Sequence, residues 1–393
     1  MSKNILVINC GSSSIKFSLA DPLSGKHLLS GLAEKLGSAD AALEWKGADS
    51  GSKTLGQAGH REALLGIVAL LQKLNLSCEG IGHRVVHGGE KFSKSCEVTD
   101  ESLAALEANS HLAPLHNPVN IQGIEAAREA FPGLPQVMVF DTAFHQTMPR
   151  QAYLYALPYE LYQQEGIRRY GFHGTSHRYV CTEAAKRLNR PIEELALISA
   201  HLGNGCSATA VLGGKSVDTT MGLTPLEGLV MGTRSGDIDP SLHEFLCNTL
   251  NLSLSEVSNL LNKESGLLGL SGHSNDMRAL LEAEAAGNER AAIAIQVFVY
   301  RLAKSIAALT VALGRLDALI FTGGIGENSA PVRQRTLELL PFLHLQPDTE
   351  ANLQHGRDNQ GIITLGTQPC AMVIPTDEEI VIARDTHKLV SGI

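Results

Sequence analysis

The sequence lacks the paired cysteines that a disulfide framework or a zinc site requires. Its seven cysteines are scattered, odd in number and form no C-x-x-C pair. They are Cys10, Cys78, Cys96, Cys181, Cys206, Cys247 and Cys370. Structural disulfides belong to oxidising compartments and usually join even numbers of cysteines. This pattern therefore predicts a protein of the reducing cytoplasm without structural disulfides.

Positive net charge and long apolar runs are lacking as well. Lys+Arg number 32 against 41 Asp+Glu, a formal net charge of -9, so no basic footprint for nucleic acid is expected. The most apolar region, residues 291–321, is interrupted by Arg301, Lys304, Arg315 and Asp317. It predicts a packed helix followed by a strand, because a membrane span needs about 20 largely apolar residues. Residues 1–3 lead directly into a strand pattern, so neither a signal segment nor a membrane partner is predicted.

The chain does contain enough apolar material for two cores. Its 393 residues, 44% of them hydrophobic, exceed the size at which single cores usually stop growing, about 250–300 residues. No low-complexity linker divides the halves, and the predicted boundary lies near residues 145–152, around Met148 and Pro149.

Short β-branched runs alternate with helical patterns, which predicts an α/β fold. Strands are expected at 4–9, 16–19, 81–86 and 136–140, with helices at 61–74 and 100–110, the latter capped by Asp100. In the second half, strands are expected at 195–201, 208–212, 215–217 and 318–321. Residues 4–19 and 195–212 share one order, strand, small-residue turn and strand, which indicates a short internal duplication.

Three loops rich in Gly, Ser and Asn follow these strands, at residues 9–14, 203–207 and 322–328. Backbone N–H groups in such turns can converge on phosphate oxygens, so the three together predict a bound nucleotide. A Walker loop is excluded, because Thr209 occupies the position of its first glycine before Gly214-Lys215-Ser216. Residues 203–208 fit G-x-G-x-x-A, but a dinucleotide fingerprint must open a helix, and the residues that follow predict a β-hairpin.

Cationic side chains lie beside glycines in other loops. Arg84 precedes H-G-G, His173 lies in G-F-H-G-T-S-H, and Arg234 lies in G-T-R-S-G-D. Phosphoryl transfer depends on cations aimed at the equatorial oxygens of the transferred group, which favours these three. Asp237 and Asp239 could bind a metal or cap a helix, and the cap is favoured. The histidines are too dispersed to predict a metal triad.

The motifs as a set closely resemble those of the acetate kinase family. They include V-I-N-C-G-S-S-S-I-K-F, H-R-V-V-H-G-G-E, F-D-T-A-F-H, G-F-H-G-T-S-H-R-Y-V, G-L-T-P-L-E-G-L-V-M-G-T-R-S-G-D-I-D-P, F-T-G-G-I-G-E-N and P-T-D-E-E. They span almost the whole chain in order. Kinases for propionate and butyrate are near relatives of this family.

The resemblance implies two duplicated actin-like ATPase (ribonuclease H-like) domains with a nucleotide cleft between them. The N-terminal domain is expected at 1–148 plus about 372–393, and the C-terminal domain, with the adenosine-binding region, at 149–371. It also implies a homodimer and a reversible transfer of the ATP γ-phosphoryl group to acetate. The products are acetyl phosphate and ADP, with Mg²⁺, or Mn²⁺ in its place, as the metal.

The resemblance assigns roles to residues of this sequence. The catalytic residues are Arg84, His116, Asp141, His173 and Arg234, and the metal ligands are Asn9 and Glu378. The acetate pocket consists of Arg84, Val86, Leu115, Phe172 and Pro225. The nucleotide contacts are Ser12, Ser14, Lys16, His201, Leu202, Gly203, Asn204, Gly205, Asp276, Met277, Arg278, Gly324, Ile325, Gly326, Glu327 and Asn328.

Chemistry favours one role for Asp141 within this scheme. Acetate is already ionised at neutral pH, with a pKa near that of a Glu side chain, about 4.3. It needs no general base, so we interpret Asp141 as the organiser of a metal or a cation. Two alternatives remain open: a propionate kinase with the same mechanism, and a nucleotide-gated switch protein on the same fold. A dehydrogenase built on G-x-G-x-x-A fails, because the helix that this fingerprint requires is missing.

Overall fold

The structure is a computed structural model that describes residues 3–114, 116–366 and 368–392. It divides into two compact units. The first comprises Met1–Gln146 with Asp377–Ile393, and the second comprises Thr147–Thr376.

Thirteen strands are present in the described part of the chain. They are β1 Ile5–Gly11, β2 Ser14–Asp21, β3 Lys26–Glu34, β4 Ala41–Gly47, β5 Gly51–Gly56, β6 Gly80–Val85, β7 Cys96–Glu97, β8 Gln136–Phe140, β9 Ala196–Leu202, β10 Cys206–Leu212, β11 Lys215–Thr219, β12 Ala318–Thr322 and β13 Cys370–Val373.

The α-helices occur in both units. They are α1 His60–Lys73, α2 Asp100–Ala108, α3 Asn117–Ala130, α4 Arg150–Tyr153, α5 Tyr159–Glu165, α6 Gly174–Arg187, α7 Leu242–Leu250, α8 Leu254–Lys263, α9 Gly266–Ser271, α10 Met277–Ala285, α11 Glu289–Leu313, α12 Gly323–Asn328, α13 Ala330–Glu338, α14 Thr349–Leu353 and α15 Glu378–Val390.

Each unit contains one mixed sheet, and the two sheets share a plan. The order is β5-β4-β3-β2-β1-β6-β8-β7 in the first unit and β11-β10-β9-β12-β13 in the second. The shared part is β3-β2-β1-β6-β8 in the first sheet and all of β11-β10-β9-β12-β13 in the second, where three antiparallel strands are followed by two parallel ones. The first sheet extends further, with β4 and β5 at one end and the antiparallel β7 at the other. This repeated topology is the predicted duplicated α/β fold, and the two hairpins β1–β2 and β9–β10 are its matching elements.

Local predictions differ from the structure at three places. Asp100 is the first residue of α2, and the cap is Thr99, which has extended backbone geometry and whose hydroxyl accepts the Ser102 N–H. The third glycine-rich loop is the helix α12, because the Glu327 carboxylate accepts the N–H of Gly323 at its first turn.

The prediction that Asp237 and Asp239 cap a helix is the third difference from the structure. Helix α7 starts after Ser241, whose side chain makes no cap hydrogen bond. Asp239 instead accepts the Ser241 N–H in the turn before the helix, at 2.9 Å. Asp237 accepts the Gly228 N–H at 2.7 Å, so it stabilises a loop rather than a helix end.

The last helix of the chain packs on the sheet of the first unit. Helix α15 lies against β1, β2, β6 and β8, and Gly82 on β6 makes this approach feasible. A Cβ at Gly82 would lie 2.4 Å from Oγ1 of Thr386 and 2.6 Å from Cγ2 of Ile382. Glu378 is the first residue of this closely packed helix.

Helix α11 is long and apolar enough to cross a membrane by length and composition alone. In the structure it packs against β9, β10 and β11 and against α9, α10 and α13 of the second unit. Its buried side chains include Ile295, Phe298 and Leu302. Strand β12 follows it, so the predicted order of a packed helix and a strand is confirmed.

A pH-sensitive ion pair stabilises the start of α15. His27 Nε2 lies 2.8 Å from Oδ2 of Asp377, whose other oxygen caps the helix by accepting the Ile380 N–H. The hydrogen bond to Asp377 raises the pKa of His27 above its usual value. Burial alone would raise the pKa of Asp377, but its bonds from His27 and the Ile380 N–H lower it.

We expect His27→Gln to remove part of the pH dependence of folding stability. A histidine whose pKa is raised on folding contributes fully below about pH 6.5, and the contribution is lost as pH rises through the folded pKa. The wild type should therefore lose up to about 1 kcal/mol relative to the variant between pH 6 and pH 9. Urea unfolding across this range measures the difference, with His111→Gln as an exposed control. Identical pH profiles for wild type and His27→Gln would contradict the assignment.

Candidate active site

A buried ion pair joins two neighbouring strands of the first unit. Arg84 lies on β6, and Asp141 directly follows β8, its N–H bonded to the carbonyl of Val85. The guanidinium donates from Nε to Oδ1 at 3.0 Å and from Nη2 to Oδ2 at 2.6 Å. The Asp141 side chain is 1% exposed and that of Arg84 is 24% exposed. Both carboxylate oxygens are thus engaged by one cation, in the forked geometry that favours arginine.

The charge state of this pair follows from its surroundings. The Asp141 carboxylate raises the pKa of Arg84. Burial raises the pKa of Asp141, and the Arg84 guanidinium opposes that rise by stabilising the carboxylate. Glu378 raises the pKa of both groups, because its negative charge interacts with the Arg84 guanidinium and with the Asp141 carboxylate. A cation that binds near Glu378 and Asp141 would relieve this repulsion.

Oxygen donors suited to a hard metal ion lie on β1 and α15. Asn9 is half-buried on β1, and Glu378 opens α15, which packs against that strand. Amide and carboxylate oxygens are the ligands that Mg²⁺ prefers, so this donor set fits the metal. No group of three or more His, Cys, Asp or Glu side chains able to hold a metal occurs among the described residues. Mg²⁺ commonly takes only one or two protein ligands, with substrate phosphates and water completing its shell.

The other predicted residues of the first unit lie on β1–β2 and around α3. Ser12 is exposed in the two-residue hairpin turn between Gly11 and Ser14, which pair across β1 and β2. Lys16 on β2 is exposed and forms an ion pair with Glu379 at 2.7 Å. Val86 and His116 are half-buried, and Leu115 lies outside the described residues.

Asn120 is a residue of this region that the sequence analysis missed. Its Oδ1 accepts the N–H of Val86 at 3.1 Å, and its Nδ2 donates to the carbonyl of Cys10 at 3.1 Å. It therefore links α3 to the end of β1 and to the residue after β6. A polar residue inside a helix gives no sequence signal for such a link.

Three histidines of the second unit lie together, two of them bonded to one serine hydroxyl and the third stacked on His173. His173, just before α6, adopts a positive φ of 56°, which is rare for a residue other than glycine and is typical of functional sites. Its ring stacks on that of His201, with centroids 4.3 Å apart. Its Nδ1 shares a hydrogen bond of 2.9 Å with the Ser207 hydroxyl, which also bonds Nε2 of His177. The orientation of His173 is thus fixed by β10 and by His201.

Arg234 differs from Arg84 in having no carboxylate partner among the residues that the structure describes. Its Nη1 donates to the carbonyl of Pro225 at 3.1 Å and approaches Sδ of Met231 at 3.6 Å. Burial lowers its pKa, and the neighbouring Cys206 opposes this only in part. A half-buried guanidinium of this kind favours an anionic ligand.

Three segments that are far apart in sequence meet at one pocket of about 530 Å³ in the second unit. The predicted nucleotide contacts that line it are Gly203, Asn204, Asp276, Met277, Arg278, Gly324, Ile325 and Asn328. The sequence analysis missed four other lining residues, Asn275, Leu281, Ser329 and Pro331. The remaining predicted contacts of the second unit, His201, Leu202, Gly205, Gly326 and Glu327, do not line this pocket.

Helix α12, one wall of this pocket, is fixed at both ends. Glu327 Oε1 accepts the N–H groups of Gly323 and Thr376. Arg333, fully buried, donates to the carbonyls of Gly326 and Glu327 at 2.8 and 3.0 Å. Its charge thus lies at the negative end of the helix dipole. Arg333 is a further residue that sequence reasoning missed.

The model of the acetokinase family matches residues 4–384. The chain belongs to the acetokinase family. Among curated relatives in this family, "Acetate kinase" of Stutzerimonas stutzeri (strain A1501) is 56% identical over 392 residues, which is 99% of each chain. "Acetate kinase" of Deinococcus radiodurans is 56% identical over 390 residues, covering 98% of each chain.

Solved structures of this family share the fold. A propionate kinase from Francisella tularensis matches with a TM-score of 0.93 and 46% identity, over 98% of this chain and 100% of that chain. Porphyromonas gingivalis acetate kinase matches with a TM-score of 0.92 and 42% identity, over 98% and 99% of the two chains. The α/β architecture described above is therefore that of the acetokinase family.

Proposed function

We propose that this chain is an acetate kinase, which transfers the γ-phosphoryl group of ATP to acetate to give acetyl phosphate and ADP. One observation carries the proposal beyond sequence similarity. Three segments predicted to contact a nucleotide, on β9–β10, α10 and α12, line one pocket of the second unit. A family resemblance alone does not require that these segments meet.

The chain supplies cations to a reaction whose main difficulty is repulsion between two anions. Arg84, His173 and Arg234 are proposed to stabilise the charge on the equatorial oxygens of the transferred group. Acetate attacks as its carboxylate, so no residue has to remove a proton. Asp141, with both oxygens bonded to Arg84, is suited to orient that guanidinium and remains our proposed organiser.

Mg²⁺, held by Asn9 and Glu378, would neutralise phosphate charge when bound. Ser12 and Ser14 offer hydroxyl groups to phosphate oxygens from the β1–β2 hairpin. Lys16, 62% exposed and paired with Glu379, can exchange that partner for phosphate at little cost, because exposed ion pairs contribute about 0–1 kcal/mol.

Substrate choice is proposed to depend on apolar contacts from Val86 of the first unit and from Phe172 and Pro225 of the second unit. Phe172 is 2% exposed, which makes it a rigid wall. The structural similarity to a protein described as a propionate kinase favours propionate kinase as the second candidate function. One methylene in an apolar pocket is worth only about 1–3 kcal/mol, so both acids deserve measurement.

We expect Val86→Ala to shift preference toward the longer acid. The smaller side chain leaves space for one more methylene, so the propionate-to-acetate ratio of kcat/KM should rise by about 10-fold. Steady-state kinetics with both acids at saturating ATP measure the ratio. Val119→Ala, on the partly buried face of α3, serves as a control. An unchanged ratio would remove Val86 from the pocket.

Trapping of acyl phosphate with hydroxylamine tests the function itself. The enzyme, ATP and Mg²⁺ are incubated with formate, acetate, propionate or butyrate in parallel. A strong acetate signal that falls along the longer acids supports the proposal, and equal or greater propionate turnover supports the second candidate. ATP binding without any trapped product would favour the nucleotide-switch alternative.

We also infer a cytoplasmic homodimer, as the family resemblance implies. Helix α11 carries exposed apolar side chains, with Tyr300 56% and Val311 87% exposed, which is consistent with a covered surface. Light scattering would distinguish a dimer from a 41.9 kDa monomer.

A further inference from the structure

The segment between β11 and α7 carries two of the proposed active-site residues without regular secondary structure of its own. Residues 220–241 contain Pro225 and Arg234, and Arg234 donates to the Pro225 carbonyl. Long irregular segments in compact domains are usually functional or mobile. The positions of Pro225 and Arg234 therefore depend on the contacts that hold this segment in place.

One ion pair fixes its beginning. Arg169 donates from Nη2 to Oε1 of Glu227 at 2.5 Å, and from Nη1 to the carbonyls of Thr219 and Thr220 at 3.0 and 2.8 Å. The cation thus binds the start of the segment and, through Glu227, the residues just after Pro225. Its side chain is 19% exposed, so the bonds are largely shielded from water.

Tyr155 completes this cluster from outside the segment. Its hydroxyl donates to Oε2 of Glu227 and accepts the N–H of Leu223 at 2.9 Å. Burial and the nearby carboxylate raise the pKa of Tyr155, so the phenol stays protonated and keeps its donor role. The two oxygens of Glu227 are thereby held by two different donors.

Gly222 links the same cluster to the chain that leads to Phe172 and His173. Its carbonyl accepts the N–H groups of Tyr170 and Gly171, at 3.0 and 3.3 Å. A Cβ at Gly222 would lie 1.7 Å from Oε2 of Glu227 and 2.2 Å from Oη of Tyr155. Only glycine permits the cluster to pack this closely against the backbone at this position.

We propose that Tyr155, Arg169 and Glu227 are positioning residues that set the pocket wall at Pro225 and the direction of Arg234. Arg169 and Tyr155 contact backbone atoms of residues 219–223, and none of the three contacts the side chain of Pro225 or Arg234 in the hydrogen bonds described above. Shielded networks in which every member is bonded specify one arrangement, and removal of one member leaves the others unsatisfied. The inference rests on the proposed function, because it deepens the role of the same site.

Tyr155→Phe is the sharpest test, because it removes one oxygen and leaves the ring. The Glu227 carboxylate then loses a donor and the Leu223 N–H loses an acceptor. We expect kcat/KM for acetate to fall by about 10-fold, because the network that holds the residues around Pro225 and Arg234 then loses two of its hydrogen bonds. The KM for ATP should change less than twofold, because the nucleotide pocket lies on other segments.

The selectivity between acids separates positioning from general destabilisation. If Pro225 moves, the acetate-to-propionate ratio of kcat/KM should fall at least threefold in Tyr155→Phe. Tyr159→Phe, a half-exposed tyrosine on α5, is the matched control and should behave as wild type. Glu227→Gln, which keeps the shape and one acceptor oxygen, should fall between Tyr155→Phe and wild type.

Two outcomes would overturn the inference. One is a lower melting temperature with an unchanged selectivity ratio once activity is normalised to folded protein. The other is an equal effect of Tyr155→Phe and Tyr159→Phe. Neither result touches the proposed function, which instead fails if the wild type forms no acyl phosphate.

Discussion

Replacement of Arg234 by alanine should lower kcat with acetate by about 10³-fold while the melting temperature stays equal or rises. The loss follows from the value of a single arginine at a transferred phosphoryl group. The stability follows from the structure, because Arg234 has only a carbonyl and a thioether as partners within the described residues. Removal of an uncompensated half-buried charge relieves a desolvation penalty.

Steady-state kinetics and thermal unfolding of the same preparations test both halves of this expectation. Arg187→Ala is a matched control, since Arg187 is half-buried and its partners among the described residues are likewise carbonyls, those of Gln360 and Val373. A change confined to the KM for acetate would make Arg234 a binding anchor. A large fall in melting temperature would mean that its main role is structural.

Replacement of Arg84 by alanine should have two effects at once. Turnover should fall by about 10³-fold or more, as for Arg234. The fold should also lose about 3–5 kcal/mol, because the variant leaves the Asp141 carboxylate buried without its cation. Urea unfolding monitored by circular dichroism gives the second quantity and acyl-phosphate trapping the first.

A double variant separates these effects. Arg84→Ala combined with Asp141→Ala removes both charges, so much of the lost stability should return while turnover stays as low as in Arg84→Ala. Arg61→Ala, which breaks an exposed pair with Glu129, should change stability by less than about 1 kcal/mol. Equal stability of Arg84→Ala and wild type would show that the Asp141 carboxyl takes up a proton or water instead of depending on Arg84.

The two arginines, both proposed to act in phosphoryl transfer, are held in place in different ways. Arg84 is held by the Asp141 carboxylate, which fixes the direction of the guanidinium and makes the net charge of the pair zero. Arg234 is held by a backbone carbonyl, which leaves its charge available to a ligand. Substitutions should distinguish them more clearly by stability than by rate.

Strands and hairpins that depend on short residue patterns could be predicted from the amino-acid sequence. Strand β8 was predicted with its observed bounds, and the hairpins β1–β2 and β9–β10 were predicted from apolar runs that flank Gly, Ser and Asn turns. Ordered motifs along almost the whole chain also determined the family. These signals are local because strand patterns and turn residues act over a few positions.

The contacts between side chains that are far apart in sequence could not be predicted and are known only from the tertiary structure. Arg84 and Asp141 are 57 positions apart, and only the parallel pairing of β6 with β8 brings them together. Glu327 and Thr376 are 49 positions apart, and their bond fixes α12, which sequence reasoning took for a turn. Tyr155 and Glu227 are separated by 72 positions; Tyr155 lies in no motif, and Glu227, although inside G-L-T-P-L-E-G, was assigned no role. Such contacts depend on strand order and on space left by glycines, which no local pattern encodes.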